Sequence, residues 1–103
     1  MPAYVIFDVP PGGDLEAMKA YRERVFNTLI LYGGKPIVRT DAIDVREVRL
    51  HKSWTPKRLL IIEFPTLAAA RAWYESPDYQ ALLPLRLNAR GPDNKVIVDG
   101  VEA

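Results

Sequence analysis

The chain has no cysteine and one histidine, His51, in 103 residues. The first absence excludes disulfides, thiolate catalysis and cysteine-ligated zinc. The second excludes a metal site built from several histidines and leaves only haem ligation by a single histidine formally open. An excess of one charge is also missing. Fourteen basic residues stand against thirteen acidic ones, a net charge of +1, so no broad field draws the chain to nucleic acid or to an anionic membrane. No apolar run approaches the ~20 residues of a membrane helix. The start, Met1-Pro-Ala-Tyr-Val-Ile-Phe-Asp8, lacks the basic segment of a secretion signal. There is no G-x-G-x-x-G and no phosphate loop; Gly12-Gly13 and Gly33-Gly34 read as turn and helix-stop glycines. These absences lead us to expect a cytoplasmic protein with no bound metal, no cofactor, no nucleic acid and no membrane.

What is present is an ordinary globular composition, 49% apolar and 26% charged, in a length that suits one domain over residues 1–103. Ala3 to Val9 is apolar at both parities until Asp8, which predicts a strand covered on both faces. Asp14 is an N-cap candidate for a helix running to about Tyr32, with apolar residues at helical spacing and Gly33-Gly34 as its stop. Lys35 to Leu50 reads as a long edge strand, bent or bulged at Thr40-Asp41-Ala42 and alternating with charge from Asp44 onward. His51 to Pro56 reads as a turn. Arg58 to Phe64 is the strongest strand, with Leu60, Ile62 and Phe64 on one parity and Leu59 and Ile61 on the other. Thr66 can cap a helix from Leu67 to Tyr74, and Ser76-Pro77-Asp78 restarts the chain as a second helix that kinks or breaks near Pro84. Lys95 to Asp99 is the last strand.

This order predicts an α+β, ferredoxin-like βαββαβ fold: a four-stranded antiparallel sheet with the first and third strands central and helices on one face. One helix layer covers one face only. The apolar side chains of the central strands on the other face would form a patch larger than monomers usually tolerate. A second copy packed sheet face to sheet face is the simplest cover, which predicts a homodimeric α/β barrel. The same element order occurs in RNA-recognition domains, but the third strand here, Lys57-Arg-Leu-Leu-Ile-Ile-Glu-Phe64, offers aliphatics where stacking rings are needed.

Tyr32-Gly-Gly-x-x-x-Val-Arg39, Trp54-x-Pro-x-Arg58, Glu63-Phe-Pro65 and Ala72-Trp-Tyr-x-Ser-Pro-x-Tyr-Gln80 together resemble the thirteen-thirty domain-of-unknown-function family, over nearly the whole chain from Tyr4 to Gly100. The resemblance implies membership of the dimeric α/β-barrel superfamily. Its members include monooxygenases working without metal or flavin, muconolactone isomerases, haem-degrading enzymes and stress-related barrels. Thr40-Asp41-Ala42-Ile43 stands where the family pattern has a Gly-Gly pair after Arg39.

The residues themselves offer a short set of candidates. His51 is a possible general base or a solvated turn residue. Arg39 and Arg58 sit among apolar strand residues, where a guanidinium needs an anionic partner: a ligand, or a structural carboxylate such as Glu63, Asp44 or Glu47. Trp54, Trp73, Tyr74 and Tyr79 offer aromatic surface, with core packing the expected role of Trp73. Tyr79 begins a capped helix whose free N–H groups could bind an anion, and Tyr21 is a second phenol on the inner edge of the first helix. One expectation is a cofactor-independent enzyme, an isomerase or oxygenase by analogy with the superfamily. In it Arg39 and Arg58 anchor an anion, Tyr79 or His51 transfers a proton, Trp54 forms a pocket wall and Tyr21 lines the site. The other is a binding or stress-associated module without turnover.

Overall fold

The computed structural model describes residues 1–9, 15–47, 56–90 and 94–101. The elements run β1 (Ala3–Asp8), α1 (Leu15–Ile30), β2 (Lys35–Thr40), β3 (Leu59–Phe64), α2 (Leu67–Glu75), α3 (Pro77–Gln80), α4 (Leu83–Arg90) and β4 (Asn94–Asp99). The strands form one antiparallel sheet in the order β2-β3-β1-β4. The two strands apolar at both parities, β1 and β3, are its central pair, and the helices pack on one face.

Alternation along the strands separates the two faces. Ala3, Val5 and Phe7 of β1, with Ile62 and Phe64 of β3, point to the helices and are buried with Met18, Tyr21, Val25 and Leu29 of α1 and Ala70 and Trp73 of α2. Trp73 is fully buried, and its ring lies 5.5 Å from Phe64 and 4.2 Å from Tyr79. Its indole N–H donates to Thr28 Oγ1 at 2.9 Å, so packing and polar demand are met together.

Side-chain chemistry sets the element boundaries. α1 ends in a Schellman motif: Gly33 takes φ +75°, its N–H donates to the Ile30 carbonyl, and the Gly34 N–H donates to the Leu29 carbonyl. Gly34 is needed for space, because a Cβ there would lie 2.7 Å from the Phe64 ring. Thr66 Oγ1 accepts from the Ala69 N–H, and Ser76 Oγ accepts from the Tyr79 N–H with Pro77 opening α3, as the sequence predicts. The chain breaks at Ala81 and Leu82, one step before Pro84, which places that proline in the first turn of α4 where it displaces no helical bond.

The expected strand from Lys35 to Leu50 is shorter. β2 stops at Thr40, whose hydroxyl accepts the Ala42 N–H at 2.9 Å and turns the backbone out of the sheet. No strand follows through residue 47, where Arg46 pairs with Asp44 at 2.9 Å on the surface. Residues 48–50 lie outside the described residues. A bulge is present, but earlier than expected: Pro36 pairs with Ile62 and Val38 with Ile61, leaving Ile37 as the extra residue.

Register then assembles two rows across the sheet. On the helix face, Arg39, Leu60, Phe7 and Lys95 stand side by side. On the outer face, Val38, Ile61, Ile6 and Val96 do the same, an unbroken apolar row. Val96 is exposed there, as is Val98. The Lys35–Glu63 pair (3.5 Å) and Tyr4 flank that row.

Candidate functional site

Lys95 opens β4 opposite Phe7, so its side chain rises on the helix face at the Asp8 end of the sheet. α2, continued by α3 across the Ser76 cap, brings Tyr74 and Tyr79 over it. Lys95 Nζ lies 4.6 Å from the Phe7 ring centroid, 5.1 Å from Tyr79 and 5.3 Å from Tyr74, inside the range of cation–π attraction on all three. It also donates to Tyr79 Oη at 2.7 Å. Tyr79 Oη is 3.1 Å from the hydroxyl of Tyr21 on α1. One ammonium, two phenols and a half-open ring of aromatic faces therefore meet where three elements converge.

Electrostatics fix the state of the central phenol. Tyr79 is fully buried. Burial pushes its pKa far above the ordinary phenol range, and the neighbouring Tyr21 hydroxyl adds to that shift; the charge of Arg86 pulls the other way without reversing it. Tyr79 is therefore neutral at any physiological pH. Arg86 itself is buried on α4. The site can attract and orient an anion through Lys95, and its aromatic walls suit a flat apolar body.

The sequence-derived candidates divide unevenly. Tyr21 and Tyr79 are brought together. Tyr79 is in the core, however, and not on an open rim, and its backbone N–H is taken by Ser76 Oγ, so the expected anion contact at the start of α3 is not available. Arg39 does not need a partner to offset burial, since it is exposed on the opposite edge strand, its guanidinium 5.5 Å from the Phe26 ring centroid. Arg58 is likewise exposed, and its carbonyl receives the Val9 N–H. Of the carboxylates considered for them, Glu63 pairs with Lys35 and Asp44 with Arg46. His51 and Trp54 lie outside the described residues. Trp73 has its expected place in the core.

Sequence reasoning missed Lys95, Phe7, Tyr74 and Arg86 as members of the site. Arg86 left a readable trace: Tyr79, Leu82 and Arg86 recur at helical spacing, which puts one cation on an apolar stripe. Lys95 left less, because only pairing with β1 reveals that it faces the helices.

Comparison with known proteins agrees with the architecture. A solved protein of unknown function from Rhodopseudomonas palustris superposes with a TM-score of 0.72 at 17% identity, over 99% of this chain and 84% of that one. A candidate antibiotic biosynthesis monooxygenase from Nitrosomonas europaea gives 0.54 at 15% identity, over 99% of this chain and all of that one. Another antibiotic biosynthesis monooxygenase gives 0.50 at 20% identity, with the same coverage. At these identities the likeness is one of fold. No curated protein matches the sequence. Residues 2–101 match the family described as Domain of unknown function (DUF1330), and the chain belongs to that family.

Proposed function

We propose that this protein binds a small organic molecule, with a negatively charged group at Lys95 and a flat apolar part against Tyr74. The observation that carries the reading is the placement of the Lys95 ammonium at one end of the sheet, 2.7 Å from a neutral phenol and amid three rings. A lysine so held supplies a charge whose position is settled before a ligand arrives, which lowers the ordering cost of binding. Binding is favoured over turnover because Tyr79, the sequence candidate for proton transfer, is fully buried behind Lys95. The test is a screen of small aromatic and carboxylated molecules by native mass spectrometry and ligand-observed NMR, with Lys95→Met beside the wild type. The expected result is binding of acids that the variant loses; equal binding by both would remove Lys95 from the site.

The working form in this proposal is a homodimer through the outer sheet face, within a reducing compartment such as the cytoplasm. The apolar row Val38–Ile61–Ile6–Val96 supports the dimer, since a second copy would cover it with two-fold symmetry. Sedimentation should give twice the 11.7 kDa chain mass, and Ile61→Lys should return it to one chain. A wild-type mass of 11.7 kDa at micromolar concentration would refute the dimer.

A further inference from the structure

Hydrogen-bond inventory gives the Lys95–Tyr79–Tyr21 chain a direction. Lysine has donors only, so the 2.7 Å contact is donated by Lys95 and accepted by Tyr79 Oη. Tyr79 then has one proton to place. It is fully buried, and among the described residues the only acceptor within reach of its hydroxyl is Tyr21 Oη at 3.1 Å. Leaving a buried hydroxyl proton without an acceptor is costly, so the order is Lys95 to Tyr79 to Tyr21. Each phenol turns its oxygen toward the ammonium and its proton away. Bonds aligned in this way reinforce one another, most of all where one donor is charged.

Two consequences follow for the site proposed above. The proton of Tyr79 is committed inward and is not offered to a ligand. What Lys95 presents outward is donors alone, attached to a charge that the two phenols hold in place. We propose that the site selects ligands whose contacting group only accepts hydrogen bonds, an ionised carboxylate or enolate and not its amide or alcohol counterpart, and that Tyr21 is a positioning residue that sets this selectivity through Tyr79 without touching the ligand. The inference rests on Lys95 being the ligand anchor.

The experiment is calorimetric titration of the full chain with benzoate and with its neutral isostere benzamide. The readout is the ratio of the two affinities, which loss of folded fraction does not alter; circular dichroism accompanies each variant. The wild type should prefer benzoate. Tyr79→Phe should cut the preference about tenfold and Tyr21→Phe about threefold, and the double variant should match Tyr79→Phe alone, because residues acting through one contact are not additive. Lys95→Met should abolish the preference. An unchanged ratio in Tyr21→Phe, or losses that multiply in the double variant, would overturn the relay while leaving the anchor intact. Benzoate binding that survives Lys95→Met, or no binding of either probe by the wild type, would overturn the anchor itself.

Discussion

Arg39 and Lys95 end the same row of side chains, one on each edge strand, and each faces an aromatic ring across a similar distance. Their surroundings differ because the helix layer is lopsided. Over β4, α2 and α3 deliver two further rings and a phenol to Lys95. Over β2, Arg39 meets only Phe26 and stays exposed. A cation on an edge strand thus becomes a site or a solvated surface charge according to which helices reach it. Its position in the sheet does not decide the matter.

The largest perturbation of that contrast is removal of its support. Trp73→Ala should cost about 3–5 kcal/mol, a large share of the roughly 5–15 kcal/mol of a domain this size. Chemical denaturation would measure it, and a loss below about 1 kcal/mol would mean that Trp73 does not hold the β4 side together. Alkaline stability comes next. The Tyr79 phenol stays protonated in the fold and ionises near its ordinary pKa of about 10 when unfolded, so its contribution is complete below pH 10 and is lost as pH rises above that value. The slope is at most about 1.4 kcal/mol per pH unit from this group, and urea midpoints taken from pH 9 to 11 should fall more steeply for wild type than for Tyr79→Phe. Parallel curves would show that Tyr79 ionises as freely in the fold as outside it. Gly34→Ala should destabilise by about 1–3 kcal/mol, since the added methyl meets the Phe64 ring; thermal melting checks this without touching either edge. The smallest effect belongs to the other end of the row. Arg39→Ala should change stability by less than about 0.5 kcal/mol and leave benzoate affinity unchanged. A tenfold loss of affinity would make the two edges equivalent and restore Arg39 as a ligand anchor.

The parts of the molecule written in local patterns could be read before any coordinates. Central strands announce themselves by apolar residues at both parities, and the caps at Thr66 and Ser76 and the glycine stop after α1 depend on residues within a few positions of one another. The candidate site is of another kind. Tyr21 and Tyr79 could be named as phenols, but their contact spans 58 positions and needs α1 and α3 already in place. Lys95 looks like the polar start of a strand until Phe7 lies beside it. Arg39 and Arg58 drew attention for their apolar sequence neighbours, yet neighbours along a strand point to alternate faces and say little about burial at an edge.

The extra residue in β2 has an effect out of proportion to its size. Without Ile37, Arg39 would pair with Leu59 and stand beside the apolar row on the outer face, where the proposed dimer packs; with it, the guanidinium is carried to the helix side and the outer row stays free of charge. A deletion of one codon would therefore do what no single substitution in that strand could, exchanging the inner and outer sides of its C-terminal half. Length, as much as composition, is a heritable control over which surface of this sheet is fit to meet another molecule.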